Sequence, residues 1–442
     1  MMASGTRVRS RGGAGGAGAP APVPAAPAGR PATPSAAAAV QPRIRRGPAR
    51  AFRLQRLVLL EVAAGLLLAG WAAGPLTLAP AVVVALLLAP AALVRRRGRS
   101  LPEWLATVRA LRARRRRAAS TLVPDGTEPG LAPAVECDPG LRTCSYGGRE
   151  RRQVGMVGDG TFLSAVVQVE AEVTAVRSER GRQTLPVALV RDALEVDGIR
   201  LESAQIVLHT RPAPALHLPQ HSVAVTNYAP LQAQTGAPAA RITWIALKLD
   251  PELCREAVAA RGGALVGAQR SLARVADHLA SRLTGAGLRT TVLDEEELIA
   301  ALATSACANP LVTAEAGRTE TRERRTEETG RSWRCDNRRH TTYWVRRWPQ
   351  LGPGAASLPQ LVASLTSVPA FATTFSLTLS GGDRQQTDLC AHVRVTGRSD
   401  DELAAARRSV EDAARHAGAG LARLDREQAP AMLATLPLGG TR

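Results

Sequence analysis

Side chains able to do chemistry are few in this chain, and they rarely fall at useful spacings. Cys390 and His392 are two apart, which puts both on one face of a strand, and Cys335 lies close to His340. Zinc takes about four such ligands, usually in paired short spacings, so these read as core or edge residues. Gly155-x-x-Gly158-x-Gly160 has the composition of a phosphate loop. Its order is wrong for a dinucleotide fingerprint, and it leads into a strand with no helix dipole to offer an anion. Gly158-Asp159-Gly160 reads as a turn. Lys248 is the only lysine and follows Leu247, so the glycine-lysine step of a Walker A loop is missing. Neither G-x-S-x-G nor H-E-x-x-H occurs. Asp294–Glu297 supplies carboxylates, but the start of a helix accounts for them. Catalytic, cofactor-binding and metal-ligating residues are all expected to be none, with no cofactor.

What must be positioned instead is charge beside apolar runs. Twenty arginines and two acids, Glu61 and Glu103, fall in residues 1–120, giving that stretch +18 of the chain's net +19. The rest is close to neutral, which argues against a nucleic-acid binder, whose basic surface would lie on the folded body. Residues 1–50 are rich in Ala, Pro, Gly and Arg and read as a disordered basic tail. Residues 51–95 read as a transmembrane helical hairpin, roughly Leu57–Ala73 and Leu76–Val94, turning at Gly74-Pro75. Arginines flank both ends, which places both termini in the cytoplasm on a multi-pass reading of the inner membrane. Glu61 lies one turn inside the first helix, either as an intramembrane carboxylate or paired with Arg53 or Arg56 near the interface. Gly70-x-x-x-Gly74 would permit close helix approach. Residues 96–119 follow as an Arg-rich amphipathic juxtamembrane helix with Leu101, Trp104, Leu105, Val108 and Leu111 on one face. That helix would lie on anionic lipid with Trp104 at headgroup level, or pack on a partner subunit. Glu61, Gly70, Gly74 and Trp104 are the candidate membrane or partner contacts.

Residues 120–150 read as a linker, and residues 151–442 as a cytosolic α+β domain with a charged loop at about 314–332. Strands are expected at Val154–Val157, Phe162–Val169, Thr184–Val190, Ile206–His209, Val223–Thr226, Arg241–Leu249, Thr290–Leu293, Arg338–Trp348, Phe371–Leu379 and Leu389–Val395. Gly381-Gly382-Asp383 reads as a hairpin turn. Helices are expected from Pro251 to about Arg261, at Ala268–Leu283 and Asp294–Leu302, and later at Asp400–Ala417 and Asp425–Leu433. GAGLRTTVLDEEELIAALAT and GAGLARLDREQAPAMLATLP share order and spacing, which suggests two related α/β halves. The six cysteines are spread without C-x-x-C pairs and read as free thiols, with Cys137 and Cys144 able to bridge only in an extracytoplasmic loop.

The ordered set of the basic tail, apolar hairpin, Glu103-Trp104, Trp244-Ile-Ala-Leu-Lys-Leu-Asp250-Pro251, Arg261-Gly262-Gly263, Val292-Leu293-Asp294-Glu295-Glu296-Glu297-Leu298 and His340-Thr-Thr-Tyr343-Trp344-Val-Arg-Arg-Trp348-Pro349 resembles EccE, a membrane component of the actinobacterial type VII (ESX-type) secretion system. The resemblance spans roughly residues 50–440. It implies a non-enzymatic structural subunit of an inner-membrane complex, bracing the channel and ATPase. Implied partners are EccB, the EccC ATPase, EccD, the mycosin protease and the lipid bilayer, with no nucleic acid and cargo contact indirect. A membrane-tethered enzyme or ligand-sensing domain is the alternative.

Overall fold

Alternation in the longer strands separates two kinds of side chain. Ala165, Val167, Ile206, Ile245, Leu247, Phe375, Leu377, Ala391, Val393 and Tyr343 share one face and one core, while Ser164, Gln205, His209, Ser376, Arg394 and His340 project from the other. The computed structural model describes residues 48–440 except 94, 97–98, 122, 148–152, 172–183, 212–217, 220, 228–229, 231–239, 320–322, 350–356 and 382–386. Most of the expected tail, and most of the Gly381-Gly382-Asp383 turn, lie outside the described residues.

The elements in chain order are α1 (Pro48–Ala73), α2 (Pro75–Leu93), β1 (Arg95–Arg96), β2 (Arg99–Ser100), α3 (Leu101–Ser120), α4 (Ala132–Val135), β3 (Arg142–Gly147), β4 (Gln153–Gly158), β5 (Leu163–Ala171), α5 (Val187–Asp192), β6 (Glu195–Val196), β7 (Ile199–Arg200) and β8 (Ser203–Arg211). A helical turn at 223–227, α6, precedes β9 (Ala240–Leu249). Then come α7 (Arg255–Ala259), α8 (Ala264–Gly285), β10 (Leu288–Val292), α9 (Glu295–Ser305), α10 (Pro310–Thr319), β11 (Thr326–Glu328), β12 (Trp333–Cys335), β13 (Arg338–Arg347), α11 (Leu358–Thr366), β14 (Ala372–Gly381), β15 (Thr387–Gly397), α12 (Asp400–His416), β16 (Gly420–Arg423) and α13 (Gln428–Leu433).

Twelve strands form one sheet in the order β11-β12-β13-β15-β14-β8-β9-β5-β4-β3, with β10 added to β5 and β16 to β13. Every pairing is antiparallel. The order of elements around its centre recurs: β3-β4-β5-α5-β8-β9-α8-β10-α9 on one side, β11-β12-β13-α11-β14-β15-α12-β16-α13 on the other. The two runs join where β8 pairs with β14, Ser203 opposite Ser380 and Thr210 opposite Thr373. α5, α8, α11 and α12 contribute to the larger core on the apolar face, while α4, α9, α13 and residues up to Leu438 build a second core on the other.

This corrects the expected fold class. No helix among the described residues is long and apolar enough to cross a membrane. The apolar run is divided at Gly74, whose φ of 107° ends α1 before α2 begins. α2 has 19 residues, about 28 Å at 1.5 Å per residue, and contains Pro80 and Pro90. α1 spends its first turns on Arg50, Arg53 and Arg56 and then carries Glu61. The multi-pass placement loses its support with the membrane spans. The two recurring runs are not separate α/β halves, because their strands are antiparallel and share one sheet.

Local expectations differ in other places. Thr184–Val190 is not a strand: Pro186 sets φ at −73° and α5 begins at the next residue. Residues 223–227 are helical. Within the stretch read as linker, Arg142–Gly147 pairs with Gln153–Gly158 at the sheet edge. Within the charged stretch, α10 and β11 are regular elements. Cys137 and Cys144 are free thiols.

Candidate functional site

α3 buries Leu111 and half-buries Arg114, while Arg112, Arg115, Arg116 and Arg117 are exposed. Arg114 forks onto Glu328 of β11, its Nε and one Nη donating to the two carboxylate oxygens at 2.8 and 2.9 Å. The same Nη donates to the Arg426 carbonyl at 2.6 Å. Arg115 Nε donates to the Glu328 carbonyl at 2.9 Å. Glu328 also accepts from the Ala429 amide at 3.0 Å, in the first turn of α13. One nearly buried carboxylate thus fastens α3 and α13 to the edge strand. Paired, forked geometry of this kind is the strong form of charged hydrogen bond.

The rest of that edge is closed by a second carboxylate. Glu136, just after α4, accepts from the Arg325 amide at 2.9 Å and from the Thr326 amide and hydroxyl at 2.7 and 2.6 Å. Burial pushes its carboxyl pKa up, against the pull of those hydrogen bonds and of Arg324. Arg325 binds Asp336 through Nε at 2.9 Å and Nη2 at 2.8 Å, and also donates to the Pro129 carbonyl and Thr313 hydroxyl. Burial works against its charge, but Asp336 outweighs it and the guanidinium pKa is raised. An exposed edge strand is an invitation to pairing; here side chains occupy β11's outer backbone groups.

Between α3 and this edge lies a groove of about 520 Å³, lined in part by Arg115, Arg117, Val123, Asp138, Glu327 and Trp333. Its thiol, Cys137, is pushed up to about 12 by burial. It is a neutral thiol at physiological pH and a poor nucleophile. The groove therefore offers paired charges and apolar walls, the equipment of an interaction surface. Among the described residues, no group of three or more His, Cys, Asp and Glu could hold a metal.

The sequence-derived contact residues lie elsewhere, apart from Trp104. Glu61 is exposed on α1. Gly70 faces α2 so closely that a Cβ would meet the Ala81 Cβ at 2.7 Å, and Thr77 Oγ1 donates to the Gly70 carbonyl at 3.3 Å. Gly74 makes the turn. Trp104 is half-buried, and its ring centroid lies 5.2 Å from the Arg426 guanidinium, so α3 is fastened at a second point. His340 is held by Thr396 at 3.0 Å and packs beside Trp333, while His392 is buried on β15. Glu136, Glu328, Arg325, Asp336 and Arg426 were not legible as a site. Their partners are far away in the chain, and isolated acids and arginines carry no spacing signal.

The match to known proteins falls on this region. Residues 237–345 match the family model of EccE, described as a putative type VII ESX secretion system translocon. That segment runs from β9 through most of β13 and includes β11, Arg325 and Asp336. No curated protein sequence matches the chain. Over residues 237–345 the chain is similar to the EccE family.

Proposed function

We propose that this chain is a non-enzymatic structural subunit of a type VII secretion translocon, associated with the membrane and bracing the channel and ATPase components. The observation that carries the reading is the pairing of an attachment element with a folded body. Leu68, Trp71 and Leu76 of the hairpin are 68%, 77% and 92% exposed, far more apolar surface than a free-standing helix pair leaves in water. α3 follows that hairpin and is clamped to the sheet by Arg114, Glu328 and Arg426. Load on the hairpin would pass through α3 into the sheet.

In this reading Glu61, Gly70, Gly74 and Trp104 serve attachment. Gly70 and Gly74 shape the hairpin, Trp104 seats α3, and Glu61 faces the surroundings. Neighbours are the EccB, EccC, EccD and mycosin components, with energy supplied by the ATPase rather than by this chain. Arg112 and Arg116, exposed on α3, suit anionic headgroups, worth about 1 kcal/mol each near such a surface.

The test replaces Leu68, Trp71 and Leu76 together with Gln in the full chain. The sheet should keep its circular dichroism and melting behaviour while the subunit is lost from membranes and from the assembled complex. Unchanged recovery in both fractions would overturn the attachment role.

A further inference from the structure

A second concentration of charge lies at one end of the polar face of the sheet. Arg211 ends β8, Arg338 begins β13 and Arg398 directly follows β15. The Arg338 and Arg398 guanidinium carbons sit 4.3 and 4.8 Å from the centroid of the Phe371 ring. Phe371 packs with Cys307 and Ala372 in a small buried cluster. Deeper in, Arg394 is 0% exposed and donates to the Ser305 carbonyl, the Met432 sulfur and the Thr374 hydroxyl.

Acids adjoin the cluster. Glu402 accepts from the Arg398 amide at 2.7 Å and also acts on Arg338. Asp336 is engaged by Arg325, and Asp400 pairs with Arg339 at 3.0 Å. Cys307 lies among Arg211, Arg338 and Arg394, but burial pushes its thiol pKa up, so it stays neutral. Its φ of 53° is left-handed, a conformation that a non-glycine residue adopts at a cost. Burial lowers the pKa of Arg211, Arg338 and Arg394, and Arg398 lowers that of Arg338 further. The Nε atoms of Arg211, Arg394 and Arg398 and Nε2 of His340 are buried without a hydrogen-bond partner among the described residues. His340 is itself 1% exposed. Unmatched buried donors and like charges are costly. Arg211 and Arg398 are half-exposed, so the cluster opens to solvent at their side.

We propose that this end of the sheet is a phosphate-binding site, formed by Arg211, Arg338 and Arg398 above Phe371, with His340 beneath. Guanidinium forks match phosphate oxygens in pairs. A dianion would meet the positive charge of Arg211 and Arg398 and take up their orphaned Nε donors. The phosphate comes from a small solute or a lipid headgroup, and the site's chemistry is the same for both.

The test uses the full chain in detergent. Its melting temperature is followed while inorganic phosphate is titrated at constant ionic strength against chloride. Headgroup binding is read separately by flotation with phosphatidylglycerol vesicles and with neutral phosphatidylcholine vesicles. Saturable stabilisation by phosphate, weakened about tenfold or more by Arg211→Gln and by Arg398→Gln, supports a solute ligand. Flotation with the anionic vesicles alone, lost in the same variants, supports a headgroup. If a Gln variant fails to fold, Arg398→Lys keeps the charge, loses the fork and should still weaken binding. The proposal is overturned if chloride stabilises as well as phosphate, if neither probe responds, or if every response persists in the variants. None of these outcomes depends on secretion.

Discussion

Burying a carboxylate without a partner costs several kcal/mol, so the way Asp336 is held says what it is for. It takes the Arg325 fork and the Asn309 amide, the latter at 2.7 Å, and both side chains of the ion pair are less than a tenth exposed. Asp336→Asn should destabilise the fold by roughly 3–5 kcal/mol, because it leaves Arg325 buried and uncompensated. Urea unfolding at neutral pH would measure this. A loss within error of zero would mean that solvent reaches the pair. The buried histidines set a pH dependence. Burial holds the His392 pKa down to about 4, whereas an unfolded histidine titrates near 6.5. Above pH 6.5 the ring is neutral in both states and stability is full. As pH falls from 6.5 towards 4 the unfolded chain takes the proton first, so stability is lost through that window. His209 and His340 are shifted the same way by burial and deepen the loss. The urea midpoint should fall across that range, and His392→Gln should flatten part of the fall. A midpoint that rises on acidification would contradict this. Cys390-x-His392 was legible as one face of a strand, since period-two geometry fixes that. Arg325 and Asp336 were not, because a buried ion pair is announced only by the fold that buries it.

Elements with strong periodicity or end signals could be read directly. β9 and the helix that opens at Asp294 are examples: the Asp294 side chain accepts from the Glu297 amide at 2.8 Å, and Glu297 returns to the Asp294 amide at 3.1 Å. Where the signal depended on a neighbour, the reading failed. α5 carries Val, Leu and Val, which suit a strand, but Pro186 and the burial of Val190 make it a helix. The glycines of β4 carry a different lesson. A Cβ on Gly155 would lie 2.3 Å from the Asp294 carbonyl oxygen, and one on Gly158 would lie 2.1 Å from that of Phe162. They allow backbones to meet and cradle no phosphate. Gly155→Ala should destabilise the protein by about 2 kcal/mol or more through forced movement of the α9 start, read as a lower melting temperature. An unchanged melting temperature would show that the α9 start yields freely. For α3, a double-mutant cycle between Arg114→Ala and Glu328→Ala should give a coupling of about 1–3 kcal/mol. A coupling near zero would mean that the helix is not fastened there.

At the scale of the molecule, a nearly neutral folded body follows a strongly basic N-terminal stretch, and that asymmetry was plain in composition. The single antiparallel sheet was not, because strand order across β8 and β14 is a long-range choice that local pattern does not carry. The break of the apolar run at Gly74 was legible from Gly74-Pro75, but the reading of its two helices as membrane spans was not sustained, since no helix among the described residues is long and apolar enough to cross a membrane. In the proposed role the hairpin is an attachment, α3 a strut and the sheet a brace within a larger machine. Solubilising the full epitope-tagged chain from its native membrane in mild detergent, and identifying what migrates with it on a native gel, tests that claim most directly. The account predicts a large complex containing the secretion ATPase and the channel subunit, reduced or lost when Leu68, Trp71 and Leu76 become Gln. A small species with no partners, unchanged in gentler detergents, would contradict it.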